Sequence, residues 1–155
     1  MDQRIEEFRA RAAETYGLDI EVHDFPEGTR SAEDAAESVG CSVTEIARSR
    51  VFAADTIIVA VVSGSARVDT RKLATLRGVH EAHLADSADV EDVIGWPVGG
   101  VPPFCHDSAV PVYVDDQVME NETVWVAAGV PTAVFPIAPE KVVEYADAIV
   151  ADVTE

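Results

Sequence analysis

Apolar positions fall at helical spacing at Ile5, Phe8, Ala12 and Tyr16, and Gly17 stands where such a helix would stop, which predicts a helix over residues 1–16. Alternation around Ile20 and Val22 predicts a half-buried strand over 19–25, broken by Pro26-Glu27-Gly28. Ser31 with Asp34, and Ser42 with Glu45, set a hydroxyl three residues ahead of an acid, so two consecutive capped helices are expected. The β-branched stretch 48–62 turns at Ala53-Ala54-Asp55 and reads as an antiparallel hairpin closed by Ser63-Gly64-Ser65. Asp69 can cap a helix carrying Leu73 and Leu76 that Gly78 ends; a strand over 79–84 and a helix capped by Asp86 with Val90 and Val93 follow. Strands over 110–114, 123–127 and 132–137 precede a terminal helix that Pro139 opens, with Val142, Val143, Ala146 and Ile149 on its apolar face. This order lacks strict strand and helix alternation. It predicts a mixed α/β fold with a largely antiparallel sheet and flanking helices. With no repeat, low-complexity tract or linker in its 155 residues, the chain is expected to form one domain over 1–155.

Composition changes the picture in one respect. Eleven basic residues oppose 29 acidic ones for a net charge of −18, while 48% of residues are apolar, which excludes disorder for lack of a core. The acids are spread along the chain and only Lys72 and Lys141 are lysines. Of two readings, a surface adapted to concentrated salt and a surface for a basic partner, the even spread favours the first, because salt shortens the Debye length to about 3 Å at 1 M. The longest uncharged apolar run, 56–62, is far shorter than the roughly 20 residues of a membrane-spanning helix, and the amphipathic start has no signal-peptide core. A cytoplasmic protein without membrane partners is expected. Cys41 and Cys105 make no metal-type cluster or disulfide framework, and His23, His80, His83 and His106 show no ligand spacing beyond His80 and His83 flanking Glu81, which also suits a solvated turn.

The segment Gly95-Trp96-Pro97-Val98-Gly99-Gly100-Val101-Pro102-Pro103-Phe104-Cys105-His106 combines two glycines with two prolines. Glycine permits positive φ and close backbone approach, whereas proline fixes φ and removes a donor, so the loop is stiff and its free amides sit on the glycine side. Amides at Gly99, Gly100 and Val101 could hold a carbonyl or carboxylate oxygen; a plain connector is the competing reading. Trp96 is the better candidate to stack on a base, with Trp125 in an apolar strand assigned to the core. Cys105 is expected to be a buried apolar group, and Asp115, Asp116, Glu120 and Glu122 a solvated run without a catalytic role.

At this loop the sequence resembles the YbaK and prolyl-tRNA synthetase insertion domain family, whose members hydrolyse mischarged aminoacyl-tRNA. Gly99-Gly100-Val101-Pro102-Pro103-Phe104 is similar to the family's glycine and proline loop. Ser31-Ala32-Glu33-Asp34-Ala35-Ala36 resembles its early helix, Ile46-Ala47-Arg48-Ser49-Arg50-Val51-Phe52 its next strand, Val68-Asp69-Thr70-Arg71-Lys72-Leu73 its middle helix, and Val124-Trp125-Val126-Ala127-Ala128-Gly129 its late strand and turn. The resemblance implies a YbaK-like, partly closed mixed sheet with a pocket for the acylated 3′ end of tRNA, no metal and no other cofactor. Carried onto these motifs, it implies that Arg48, Gly100 and Val101 serve catalysis and that Phe25, Ser49, Gly99, Pro102, Pro103, His106, Ala127 and Gly129 contact substrate.

Three positions depart from the pattern. Arg48 stands where active relatives carry a lysine, Ala127 where some have a small polar residue, and Phe25 where some have a phenol. Arginine forks bidentately and stays charged, so Arg48 could anchor substrate without reproducing a lysine's role. The expected reaction is trans-editing of mischarged aminoacyl-tRNA: loop amides polarise the ester carbonyl, Arg48 fixes ribose or phosphate, and water activated by the free ribose hydroxyl attacks. His106 could act as acid or base, or cap the loop backbone. The competing expectation is a non-catalytic module that binds a nucleotide, an aminoacyl-adenosine-like ligand or a synthetase. DNA is not an expected partner, and local contacts from Arg48, Arg50, Arg67 and Arg71 would have to serve for RNA against the overall charge.

Overall fold

A computed structural model describes residues 3–25 and 31–155. Helix α1, Gln3–Tyr16, buries Ile5, Phe8 and Ala12 and ends at Gly17, in agreement with its spacing. The short strand β1, His23–Asp24, leads to α2, Ala32–Val39, where the Ser31 hydroxyl accepts from the Asp34 amide. The Pro26-Glu27-Gly28 break lies outside the described residues. Ser42 and Glu45 form the reciprocal box expected of them, but it caps a single 3₁₀ turn, Val43–Glu45, rather than a second helix. The hairpin follows as β2, Ala47–Ala54, and β3, Thr56–Ser63, turning at Asp55 with a left-handed φ of 68°. Asp69 caps α3, Thr70–Arg77, and Gly78 closes it.

Strand β4, His83–Leu84, is much shorter than the predicted 79–84, just as β1 is shorter than 19–25; apart from Ile20 and Ala82 both stretches are exposed or half-buried, and among the described residues no further strand pairing extends them. The turn α4, Ser87–Asp89, capped by Asp86, runs into a π turn at Val90–Ile94. Strands β5, Val112–Asp115, β6, Val124–Ala127, and β7, Ala133–Ile137, precede α5, Pro139–Ala146. Helix α5 stops at Asp147 in the left-handed region, so Ile149 does not face the core from a helix; it is exposed on a further strand, β8, Ile149–Ala151.

Two open sheets result, in the order β1-β7-β6 and β4-β2-β3-β5-β8. The first is antiparallel; in the second the β4, β2 and β3 pairings are antiparallel and β3-β5 and β5-β8 parallel. A bridge from Ile46 to Trp125 joins them, without closing a barrel. Both faces of the larger sheet are covered, which explains the unbroken apolar run in β3. Ala47, Val51, Val59 and Val61 pack with α1 and the inner faces of β6 and β7, whereas Phe52, Ile58, Ala60 and Val62 pack with Leu73 and Ala74 of α3.

Asp115 is 1% exposed at the end of β5, not part of the solvated run expected there. Its carboxylate accepts from the Val153 amide at 2.9 Å, the Gln117 amide at 3.1 Å and the Thr154 hydroxyl at 3.3 Å, fastening the C-terminal segment to the sheet.

Candidate active site

Among the described residues, part of the β2 edge has no strand partner. At its C-terminal end Phe52 and Ala53 pair with β4, and at its start Ile46 bridges to β6. Residues 48–50 lie between these two partners. Residues 48, 50 and 52 direct their main-chain groups to β3, which follows from the antiparallel register together with the Gly64 to Ile46 and Ala85 to Val51 bonds; Ser49 therefore turns its amide and carbonyl toward the gap.

A cavity of about 240 Å³ opens there, bordered by Arg48, Ser49, Arg50, Val51, Leu84, Ala85, Val90, Val98, Gly99, Val101, Trp125, Ala127 and Pro131, with Ser31, Ala32 and Ala35 of the α2 region. Its lining is mostly small and apolar. Val98 and Leu84, 58% and 56% exposed, stand on its border. The Ser49 hydroxyl is buried and has no hydrogen-bond partner among the described residues.

Arg48 and Arg50 follow the two-residue period of the strand onto one face. Burial, and then the neighbouring Arg48 charge, pull the Arg50 pKa below its ordinary value. Arg4, Arg9, Arg11, Lys72, Arg77 and Lys141 each have a carboxylate within ion-pair distance, but Arg48 and Arg50 have none among the described residues.

The glycine and proline loop forms the facing border. Gly99, at φ 86°, and Val101 line the cavity, and among the described residues their amides have no backbone acceptor. Gly100 is placed differently. Its amide donates to the Pro97 carbonyl at 2.9 Å and its carbonyl accepts from the Gly129 amide at 3.1 Å, so its donor is already spent in a turn. Pro102, Pro103 and His106 do not border the cavity; they brace the loop, the prolines buried and His106 Nε2 at 2.7 Å from the Pro102 carbonyl. Phe25 stacks on His23 away from the cavity border, and its amide donates to the Thr132 carbonyl. Of the expected site residues, the structure therefore gathers Arg48, Ser49, Gly99, Val101 and Ala127 around one hollow, with Gly100, Pro102, Pro103, His106 and Gly129 behind it.

The tryptophan assignments reverse. Trp96 is 0% exposed, its indole donating to the Cys105 carbonyl at 2.9 Å and its ring edge-on to Phe8, so no base can reach it. Trp125, on the outer face of β6, borders the cavity. Cys105 is buried, as expected, and burial pushes its thiol up to about 11, which disarms it as a nucleophile. Among the described residues no group of histidines, cysteines and acids could hold a metal ion.

Sequence reading did not assign Leu84, Val98 or Pro131 to the site: pairing of β4 with β2 brings Leu84 to the gap, whereas Val98 and Pro131 reach it on turns.

Burial holds the His106 pKa below its ordinary 6.5, so the neutral ring is kept as a donor to Pro102. Because the folded value is lower than the unfolded one, stability is constant at high pH and declines as pH falls through 6.5 toward the folded value. Melting curves from pH 8 to pH 5 should show this decline. In His106→Gln the share due to this ring should be gone.

The profile of the aminoacyl-tRNA editing domain family matches residues 26–145. The chain belongs to that family. Its curated relatives include YwhH of Bacillus subtilis, 30% identical over 129 residues that cover 81% of this chain and 80% of that protein. They also include the candidate Cys-tRNA(Pro)/Cys-tRNA(Cys) deacylase EbsC of Enterococcus faecalis, 26% identical over 93% of this chain and 90% of EbsC. A crystal structure described as a candidate trans-editing enzyme for prolyl-tRNA synthetase superposes with a TM-score of 0.93 at 32% identity, covering 100% of this chain and 99% of the other. An editing domain is a hydrolase of aminoacyl-tRNA, and the mixed, mostly antiparallel sheet expected from the resemblance is the fold observed.

Proposed function

We propose that this editing domain, residues 1–155, acts in trans as a deacylase that clears a wrong amino acid from tRNA, in the service of a synthetase such as the prolyl enzyme. One observation carries the reading: arginines of β2 and amides of the glycine and proline loop that have no partner among the described residues border the same hollow. In the mechanism, the Gly99 and Val101 amides polarise the ester carbonyl, and Arg48 anchors the terminal ribose or its phosphate. Gly100 holds the turn that aims the two donors. Water hydrogen-bonded to the substrate's free ribose hydroxyl adds to the carbonyl carbon, that hydroxyl taking water's proton as it passes its own toward the departing ribose oxygen. The ester C–O bond then breaks, its electron pair and a proton go to the ribose oxygen, and free amino acid leaves. Donors fixed on developing oxyanion charge are worth about 3 kcal/mol each in comparable sites. No step needs a metal or a cofactor.

The test is release of amino acid from a panel of mischarged tRNAs in molar KCl. Hydrolysis above the buffer rate, lowered about 100-fold or more by Arg48→Ala, is expected if the anchor acts in the transition state. No release from any member would overturn the enzymatic reading. A second reading, a binding module without catalysis, is favoured by Arg48 in the place of the family lysine. It requires that Arg48→Lys create hydrolysis absent from the native chain.

The even acidic surface supports a further proposal of adaptation to a salt-rich cytoplasm. Among the described residues ion pairs engage a minority of the acids, so self-repulsion dominates in dilute buffer. The thermal midpoint should rise steadily between 0.1 M and 2 M KCl. A midpoint indifferent to salt would sink the proposal.

A further inference from the structure

Arg50 has no task in the chemistry above. It is half-buried, carries its charge against the cost of lost hydration, and stands beside a like charge in a chain with 18 more negative than positive groups. A guanidinium so placed would ordinarily attract one of the many carboxylates. Among the described residues none has been drawn in; the acids that form ion pairs serve other cations. The two arginines sit on one face of β2, their Cα atoms about 7 Å apart at two residues' rise. Long side chains from that spacing can converge on one tetrahedral anion, which accepts planar N–H pairs on separate oxygens. Both border the cavity, and among the described residues no strand pairs with this stretch of the β2 edge.

We propose that Arg48 and Arg50 form a fork for a single phosphate group, the one that links the last two nucleotides of the acylated RNA end. This rests on the editing reading and deepens it by making Arg50 a substrate-binding residue. The fork also answers the electrostatic difficulty of an acidic RNA-binding protein. Arg50, half-buried beside the exposed Arg48, is screened less than a surface charge, so one well-made phosphate contact survives salt that abolishes diffuse attraction.

The experiment compares binding of 5′-AMP and adenosine to the native chain by calorimetry in 1 M KCl, two probes that differ in the phosphate. The fork predicts about tenfold tighter binding of 5′-AMP, as expected for charge-assisted contacts. Arg50→Ala should bring the ratio close to one with adenosine binding unchanged; Arg50→Lys should keep part of it, and Lys141→Ala, on α5 outside the cavity, should leave it intact. Folding of each variant is checked by its melting curve, and the Lys variant keeps the test open if the Ala variant fails to fold. If the native chain does not distinguish the probes, or binds neither, or if the ratio persists without Arg50, the fork is overturned. Retention of the Arg50-dependent ratio by a chain that hydrolyses no mischarged tRNA would leave the fork standing and remove the editing reading. Hydrolysis with an Arg50-independent ratio would do the reverse.

Discussion

Gly100→Ala is expected to lower the single-turnover rate of deacylation by about 100-fold or more, the cost of a displacement near 1 Å in a preorganised site. A Cβ on Gly100 would lie 2.7 Å from the Val130 Cα and 2.8 Å from its carbonyl carbon and nitrogen. These are main-chain atoms, which cannot swing aside as the end of a flexible side chain can. The loop itself must move, and with it the Gly129 to Gly100 hydrogen bond and the unpaired amides on either side. Gly99→Ala is the instructive contrast. Its Cβ would meet only the ring of Pro131 at 3.5 Å, so the change is limited to a left-handed φ that alanine adopts at a cost of about 1 kcal/mol. A large rate loss at Gly100 with a modest one at Gly99, both variants melting as folded proteins, would confirm that close approach matters more here than glycine's torsional freedom. Equal rates in native and Gly100→Ala chains would show that the loop has no part in the reaction.

Asp115→Ala should remove about 3–5 kcal/mol of stability, read as a lowered urea midpoint at fixed molar KCl. The buried carboxylate accepts from two amides and a hydroxyl, and its loss strands the Val153 amide and the Thr154 hydroxyl away from water. It also frees residues 152–154, where Lys72 Nζ donates to the Asp152 carboxylate at 2.8 Å and to the Thr154 carbonyl at 2.6 Å. Asp115→Asn keeps one acceptor oxygen but turns an NH₂ toward groups that are themselves donors, so it should fall between alanine and native. A midpoint within 1 kcal/mol of native for the alanine variant, on the usual scale of surface substitutions, would refute this account.

Local chemistry and spacing made several elements legible before any coordinates. Gly17 and Gly78 end their helices in left-handed geometry, Asp69 caps α3 by accepting from two amides, and the hairpin turns at Asp55 within the predicted tripeptide. Pairing was much less legible. The extents of β1 and β4, and the existence of β8, depend on which edge each segment meets, and residue alternation carries no record of that. The site divides in the same way. Arg48, Ser49, Gly99, Val101 and Ala127 could be named from motifs because the strand and the loop are themselves continuous segments. That Gly100 spends its amide on Pro97, that Trp96 lies in the core while Trp125 borders the hollow, and that Asp115 is buried are properties of the packed chain. A residue type and its sequence neighbours do not decide them.

Helix α1 has a practical bearing. It precedes residues 26–145, the stretch matched to the family, yet Phe8 touches Trp96, Phe104 and Phe135 with ring centroids 5.8, 5.9 and 5.4 Å away, and Arg11 grips Asp107 at 3.0 Å. The floor beneath the glycine and proline loop thus comes from the opposite end of the polypeptide. Anyone grafting this hydrolytic unit onto another scaffold must carry residues 3–16 along, since a graft cut to residues 26–145 would arrive without its foundation.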